Sequence, residues 1–264
     1  MASSISTSAD APVTTLTLNR PEKRNALCIP LLEELCRAIA TAEADVEQRV
    51  LVLRGAGPVF CAGLDLAEAA DSERAHRSAE NVAHALRALA DSRLVTIAAV
   101  HGAAMAGGAG LVSACDFAVA TADTKFGFPE VRRGLLPAMI MTFLRRQLRE
   151  REVRELLLLG EAFDAEKARA LGLVNRVVPD VTALDAAVQA IISSALQGGP
   201  EAIVGTKRFL AELRPTSVSF DLERALALHV SARTTPEAKE GIAAFLERRP
   251  PHWAPPTHRE NSPD

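Results

Sequence analysis

The stretch from residue 94 to residue 115 places the strongest constraint on how this chain can fold. Besides the thiol of Cys115, its only ionisable side chain is that of His101, and the stretch is long enough to span a bilayer. It opens with the β-prone run LVTIAAV and then breaks into HGAAMAGGAG, whose glycines weaken a membrane helix. The segment therefore predicts a buried strand that leads into a tight turn, and we expect no membrane association.

Strand and helix patterns alternate through the first half of the chain. Four short apolar runs have the pattern of strands, and they cover residues 14–20, 50–55, 94–100 and 117–121. Stretches with helical spacing lie between them, and they cover residues 28–44, residues 67–90 and a segment from about residue 108. Such alternation is typical of an α/β protein, which is the fold class that we predict.

The second half of the chain reads mainly as helices. Helical patterns cover residues 143–160, 164–172, 183–199, 201–213 and 221–248, with a short strand at 173–178. The cluster Gly198, Gly199, Pro200 predicts a boundary between a core of residues 1–199 and a helical region of residues 200–264. We expect the helices of that region to pack on the core or on a neighbouring subunit, with a frayed start over residues 1–12 and an extended tail over 250–264.

Charge and composition exclude several classes of function. Thirty Lys and Arg against 33 Asp and Glu give a net charge of -3, and nine Phe and one Trp provide no stacking platform, so we expect no nucleic-acid partner. Four separated cysteines without a C-x-x-C pair or a preceding signal-peptide pattern favour reduced thiols in the cytoplasm. The chain has no P-loop, no G-x-S-x-G elbow and no zinc-ligand spacing, so we expect no metal.

Three motifs remain and occur in a fixed order. They are FCAGLDL at 60–66, HGAAMAGGAGLVSACD at 101–116 and KFGFPEVRRGLLP at 125–137. With them the chain resembles the crotonase family of enoyl-CoA hydratases and isomerases, from LNRPEKRNAL at 18–27 through GIAAFLERRPPHW at 241–253. The resemblance implies a crotonase-like spiral of ββα turns with a helical C-terminal region, assembled as a homotrimer or homohexamer. It also implies an acyl-CoA substrate, with coenzyme A as part of that substrate and no separate cofactor.

The first two motifs can each supply a backbone N–H group to a thioester oxygen. By resemblance, Leu64, which follows Gly63, presents one amide, and Gly107 at the start of a helix presents the other. Fixed backbone dipoles and a helix N-terminus favour the negative charge of an enolate oxygen. The alternative is that these glycines serve only a tight turn and close helix packing. The order and pairing of the motifs favour the catalytic interpretation.

Glu130 is the candidate for proton transfer. It lies in FPEVRRG, where family members carry the carboxylate that exchanges a proton with the acyl α-carbon. An apolar wall made by Phe126, Phe128 and Leu135 would raise its pKa towards the range useful for acid–base catalysis. The alternative is a surface ion pair with one of the two arginines of the same motif.

Position 110 departs from the pattern of the common hydratases of the family. Those enzymes place a second glutamate there, whereas this chain has Gly110, so the two-glutamate mechanism cannot be transferred. We predict an enoyl-CoA hydratase that works with one glutamate. An enoyl-CoA double-bond isomerase, which needs only one base, and a non-catalytic acyl-CoA-binding protein remain as alternatives.

Other residues are predicted to contact the substrate. Around the first donor these are Ala62, Gly63, Leu64, Asp65 and Leu66, of which Asp65 has a helix cap as its alternative role. Lys23 and Arg24, together with Lys207 and Arg208, are candidates for binding the phosphates of coenzyme A.

Overall fold

A computed structural model describes residues 3–69, 72–213 and 216–254. The strands are β1 (Ile5–Asp10), β2 (Val13–Leu18), β3 (Val50–Gly55), β4 (Val95–Val100), β5 (Ala103–Met105), β6 (Phe117–Thr121), β7 (Lys125–Gly127), β8 (Ala162–Asp164) and β9 (Arg176–Val178). The helices are α1 (Ile29–Ala44), α2 (Leu66–Ala69), α3 (Ser72–Ala90), α4 (Gly107–Ala114), α5 (Ala138–Gln147), α6 (Glu150–Leu159), α7 (Ala165–Leu171), α8 (Val181–Gln197), α9 (Pro200–Glu212), α10 (Val218–Arg233) and α11 (Pro236–Leu246). Short 3-10 turns cover Pro21–Lys23 and Pro129–Arg133.

The strands form two sheets through a repeated ββα turn. The larger sheet has the order β1-β2-β3-β4-β6-β9 and is parallel except for the β1–β2 pair. The smaller sheet has the order β5-β7-β8, and a parallel bridge joins Cys61 to Ala104 of β5. In successive turns one strand joins the larger sheet and the following segment joins the smaller one before a helix begins. The α/β class and the helical second half predicted from the sequence are confirmed.

The central strands are buried on both faces of the larger sheet. Val50 and Val52 of β3 pack in the layer formed with α8, whereas Leu51 and Leu53 belong to the main core with α1, α3 and α4. Burial on both faces explains why these strands read as continuous apolar runs rather than as alternating patterns. The segment 94–115 forms β4, β5 and α4, and every residue of β4 is buried. No helix in the described ranges is both long and apolar enough to cross a membrane.

Two details differ from the sequence-based expectations. The N-terminal segment forms β1, which pairs with β2 from Ile5 opposite Leu18 to Asp10 opposite Val13, so it is an edge strand rather than a frayed start. Its polar residues face outward and only Ile5 is buried, which hid the strand pattern. The helix predicted over 143–160 is two helices, because the chain is extended at Leu148 and α6 begins afresh where the Glu152 carboxylate accepts the Arg149 N–H at 3.1 Å.

The C-terminal helices pack against the core. The α10 helix contacts α3 and α5, and Asp221 forms an ion pair with Arg146 of α5 at 2.7 Å. The α11 helix lies against the 3-10 turn Pro129–Arg133. Gly198 and Gly199 separate α8 from α9, in which no residue is buried. Residues 214–215 and most of the predicted tail, 255–264, lie outside the described residues.

Candidate active site

A cavity of about 260 Å³ opens between two walls. We use "loop wall" for the residues contributed mainly by segments that follow strands or precede helices, which are Lys23, Arg24, Ala26, Ala62, Leu64, Asp65, Leu66, Ala67, Ala106 and Gly107. We use "helix wall" for those contributed by the second 3-10 turn and later helices, which are Glu130, Arg133, Leu135, Leu136, Pro137, Ala138, Met139, Ile140, His229, Phe245 and Leu246. Val82 of α3 also lines the cavity. Of the predicted site residues, all but Gly63, Lys207 and Arg208 therefore line one cavity.

The Leu64 amide is left free by the way its neighbours pair. Leu27 donates its N–H to the Gly63 carbonyl at 2.8 Å and accepts the Asp65 N–H at 2.9 Å. In such a parallel bridge the N–H of the middle residue points away from the partner strand. Leu64 accordingly donates to no residue in the part of the chain that the structure describes. Gly63 has φ +92, and a Cβ there would lie 2.8 Å from the Met105 carbonyl oxygen, so only glycine fits without strain.

The Gly107 amide is free because it begins a helix. The first amides of a helix have no intrahelical partner, and Gly107 is the first residue of α4. The preceding residue, Ala106, has φ 49 and ψ -122, a conformation that L side chains rarely adopt, and its N–H donates to the Gly127 carbonyl at 2.8 Å. This strained residue turns the chain from β5 into α4 and sets the position of the Gly107 amide.

Backbone contacts hold the two free amides in a fixed relation. Cys61 donates its N–H to the Ala103 carbonyl at 3.0 Å and accepts the Met105 N–H at 3.0 Å. A Cβ on Gly108 would lie 2.6 Å from the Cys61 carbonyl oxygen, so the start of α4 approaches this segment as closely as backbone allows. The Cys61 side chain is fully buried and burial raises the pKa of its thiol to about 12, which makes it a packed side chain rather than a nucleophile.

Asn25 supports the loop wall and was missed by the sequence analysis. Its side-chain amide donates to the carbonyls of Ala56 and Val59 at 2.9 Å each, and its Oδ1 accepts the Arg20 N–H at 2.9 Å. It is fully buried and has φ 55, so it fixes the turn that carries Lys23. It lies inside the motif LNRPEKRNAL, but no spacing rule distinguishes it from a solvent-exposed turn asparagine.

Glu130 is a buried carboxyl group on the helix wall. It is 7% exposed, and its Oε2 has no hydrogen-bond partner among the described residues. Burial raises the pKa of Glu130 to about 7, while its own backbone N–H and the charge of Arg133 act in the opposite direction. A carboxyl group that titrates near neutrality and keeps one oxygen without a partner can both accept and donate a proton at physiological pH.

Two expectations concern the surroundings of Glu130. Leu135 lines the cavity, but Phe126 and Phe128 pack on Phe163 with ring centroids 5.9 and 6.1 Å away, outside the cavity lining. The surface ion pair offered as an alternative does not form within the described chain. Arg132 instead bonds to the Leu159 carbonyl at 2.8 Å and pairs with Glu161, and Arg133 stacks on a phenylalanine of α11.

Gly110, where the resemblance would place a second glutamate in the common hydratases, has hydrocarbon side chains around it. It is buried in α4, and a Cβ there would meet Ile140 at 3.3 Å and Leu86 at 3.5 Å. Asp65 is the other carboxylate among the residues that line the cavity, and it pairs with Arg20 at 3.5 Å. Glu130 is thus the unpaired carboxyl group of this lining.

The candidate phosphate-binding cations divide into two groups. Lys23 and Arg24 are exposed at the edge of the loop wall. Lys207 bonds to the Leu94 carbonyl at 2.6 Å and pairs with Asp116, and neither it nor Arg208 lines the cavity. The structure therefore does not bring these two residues to the cavity, and for Lys207 the reason is that α9 directs its side chain to Leu94 and Asp116.

His229 of α10 is a further cavity residue that sequence reasoning missed. It is 4% exposed, and its Nδ1 lies 3.2 Å from the Leu136 carbonyl. Burial, followed by the charge of Arg233, lowers the pKa of His229 to about 4, so the ring is neutral at physiological pH. No periodic signal marks it, because its helix has apolar and polar residues on every side. Within the described ranges, no group of three or more His, Cys, Asp or Glu side chains could hold a metal ion.

Comparison with known proteins identifies the family. A family model described as Enoyl-CoA hydratase/isomerase matches residues 8–256. A Thermus thermophilus protein whose name assigns it to the enoyl-CoA hydratases is 36% identical over 249 residues, covering 91% of this chain and 97% of that protein. The 2,3-dehydroadipyl-CoA hydratase of Escherichia coli is 32% identical over 239 residues, covering 90% of this chain and 93% of that enzyme.

A solved structure shows the same architecture. The crystal structure of an enoyl-CoA hydratase from Mycobacterium avium matches with a TM-score of 0.85 and 36% identity, covering 96% of this chain and 100% of that one. The predicted crotonase-like fold is confirmed by this likeness, and the ordered motifs lie within the matched region. The chain therefore belongs to the crotonase family, the enoyl-CoA hydratases and isomerases.

Proposed function

We propose that this enzyme hydrates a 2-enoyl-CoA thioester with Glu130 as its single acid–base group. The observation that carries the proposal is a buried carboxyl group, whose Oε2 has no hydrogen-bond partner in the described chain, in the same cavity as two free backbone amides. The amides of Leu64 and Gly107 would form the oxyanion hole. Coenzyme A enters as part of the substrate and no separate cofactor takes part.

The proposed reaction uses one water molecule and returns Glu130 to its starting state. Ionised Glu130 takes a proton from water as the hydroxyl group bonds to the β-carbon of the enoyl thioester. The electron pair of the double bond moves to the thioester oxygen, where the Leu64 and Gly107 amides stabilise the enolate. Protonated Glu130 then gives its proton to the α-carbon, which completes a syn addition. The pKa of about 7 suits both halves of this cycle.

Double-bond isomerisation is the second candidate, and the apolar surroundings of Gly110 favour it. The atoms nearest to a Cβ at Gly110 belong to the side chains of Ile140 and Leu86, so among the described residues that position offers no second carboxylate to hold a water molecule with Glu130. In that reaction ionised Glu130 removes a proton from the α-carbon of a 3-enoyl thioester and returns it to the γ-carbon through the same stabilised enolate. The family includes both activities, so the choice requires a product analysis.

The deciding experiment is incubation with crotonyl-CoA, 3-methylglutaconyl-CoA and a 3-enoyl-CoA in deuterium oxide, followed by mass spectrometry. A hydratase adds the mass of one D2O to a 2-enoyl substrate. An isomerase shifts the double bond without adding water. Calorimetric binding of acyl-CoA without water addition, isomerisation or α-deuterium exchange would leave the non-catalytic binder and overturn both enzyme proposals.

Replacement of the proposed acid–base group has the largest expected effect on turnover. Glu130→Gln keeps the size of the side chain but cannot carry a proton, so we expect kcat to fall about 100- to 10,000-fold. Glu161→Gln is the matched control, because Glu161 is exposed and does not line the cavity. Full turnover by the Glu130 variant on every accepted substrate would contradict the proposed role.

We also propose that residues 200–264 contribute to a homotrimeric or homohexameric assembly in the cytoplasm. Phe209, Leu210 and Leu213 are 59%, 57% and 66% exposed on or next to α9, a helix with no buried residue. A contiguous apolar surface of this kind is typical of subunit interfaces. Light scattering after size exclusion should give three or six times the chain mass, and Phe209→Ser with Leu213→Ser should lower it. Val46→Ser, at a residue 82% exposed but distant in sequence, is the control, and a monomeric wild type would overturn the proposal.

A further inference from the structure

Arg133 places an unpaired cation in a largely apolar part of the cavity. Most of its neighbours in the helix wall are leucine, methionine, isoleucine, proline and phenylalanine. The guanidinium lies 4.4 Å from the centre of the Phe245 ring. It forms no ion pair and donates no hydrogen bond to any residue that the structure describes, in contrast to its neighbour Arg132. Burial lowers the pKa of Arg133, which reflects the cost of keeping a charge there.

We propose that Arg133 binds a carboxylate at the distal end of the acyl chain, so that the enzyme prefers ω-carboxylated acyl-CoA substrates. This inference rests on the proposed function for the identity of the thioester, but not on the reaction that follows binding. Phe245 covers one face of the guanidinium, which leaves the N–H groups at its edge available. A carboxylate fits that edge with two parallel hydrogen bonds, and charge-assisted pairs of this kind are the strong ones.

The position of Arg133 favours an acyl carboxylate, rather than a phosphate of coenzyme A, as its ligand. Glu130 and Arg133 lie three residues apart in one 3-10 turn, where side chains at i and i+3 project to the same side. The charge of Arg133 also lowers the pKa of the Glu130 carboxyl, as expected for two groups on one side of the same turn. Glu130 must reach the α-carbon, so Arg133 lies within a short acyl chain of it. The phosphates are separated from the thioester by the whole pantetheine arm and have Lys23 and Arg24 at the cavity edge.

The test is calorimetric binding of two saturated thioesters, hexanoyl-CoA and adipoyl-CoA, which have six acyl carbons and differ in the terminal carboxylate. We expect the wild type to bind adipoyl-CoA more tightly. Arg133→Gln should weaken adipoyl-CoA binding about 10- to 100-fold and change hexanoyl-CoA binding less than about twofold. Arg133→Lys, which keeps the charge, should retain part of the preference. Because neither ligand can be hydrated, the result stands even if the wild type proves inactive in the product analysis.

Arg132→Gln is the matched control, since it removes an adjacent arginine that bonds to Leu159 outside the cavity. Succinyl-, glutaryl- and pimeloyl-CoA extend the series in case another chain length spans the distance. Equal weakening of hexanoyl-CoA and adipoyl-CoA by Arg133→Gln would mean that Arg133 binds a phosphate of coenzyme A, and would overturn the proposal. A wild type that prefers none of the carboxylated ligands would overturn it as well. Thermal unfolding of each variant verifies that the comparison is made between folded proteins.

Discussion

The two walls of the cavity are built by different physical means. In the loop wall the backbone amides of Leu64 and Gly107 are free, and their positions follow from hydrogen bonds between main chains and from glycines with no room for a Cβ. In the helix wall the polar groups that line the cavity are the side chains of Glu130, Arg133 and His229. Backbone donors are fixed once the fold forms, whereas side chains can be exchanged without rebuilding it. The proposed function accordingly assigns the stabilisation of negative charge to the loop wall, and substrate choice and proton transfer to the helix wall.

Among changes in the loop wall, Gly63→Ala should reduce turnover most. A Cβ would clash with the Met105 carbonyl and strain a backbone at φ +92, so the Leu64 amide should move. We expect a loss of turnover of about 100- to 1000-fold, as for removal of one oxyanion donor. Gly172→Ala is the control, because Gly172 has φ +87 but no atom within 4 Å of its missing Cβ. It should cost about 1 kcal/mol of stability and leave steady-state kinetics unchanged. Equal loss of activity in both variants would refute the special role of the loop wall.

The helix wall should determine the pH dependence of activity. Since the reacting form of Glu130 is the carboxylate and its pKa is raised to about 7, kcat/KM should fall about tenfold per pH unit on the acid side. The charge of Arg133 lowers that pKa, so Arg133→Gln should move the acid limb to higher pH. The measurement is a pH–rate profile of both proteins with an uncarboxylated substrate. An acid limb that stays in place would show that Arg133 does not act on Glu130.

His229 should make the helix wall sensitive to acid even without a substrate. Its pKa is about 4 in the folded chain and near 6.5 when unfolded, so the unfolded state binds more protons between those values. The contribution of His229 to the free energy of unfolding is therefore greatest above pH 6.5 and falls as the pH drops towards 4. Denaturant titrations at pH 7 and 4.5 should show a loss about 2 kcal/mol larger for the wild type than for His229→Gln. Parallel losses in the two proteins would argue against a buried neutral ring.

Replacing the candidate phosphate-binding lysines should have the smallest effects on KM. These effects should distinguish Lys23 at the cavity edge from Lys207 outside the cavity. Lys23→Met should raise KM about two- to fivefold, since an exposed ion pair contributes up to about 1 kcal/mol. Lys207→Met should leave KM unchanged, because Lys207 pairs with Asp116 away from the cavity. Steady-state kinetics of the two variants with one acyl-CoA provide the comparison. A larger KM change for Lys207 would contradict the assignment of Lys23 to the cavity.

Motif reading located most of the candidate site but not its supports. Leu64, Gly107 and Glu130 lie in short segments whose residue types and order are unusual, so they could be named from the sequence, and the structure brings them to one cavity. Asn25 and His229 could not, because their importance comes from burial against distant segments. Strand β1 was missed for a related reason. Its one buried residue gives no pattern, and only pairing with β2 makes it a strand.

Local sequence alone determined the α/β alternation, the buried strand and turn of residues 94–115, and the absence of a carboxylate at position 110. These features depend on apolar periodicity, on glycine and on residue identity, which are properties of neighbouring residues. Only the tertiary structure decided that Oε2 of Glu130 is buried without a partner among the described residues, that Arg133 stacks on Phe245 and that Lys207 turns to Asp116. Desolvation and pairing depend on which distant atoms exclude water or reach bonding distance, and no local pattern encodes that.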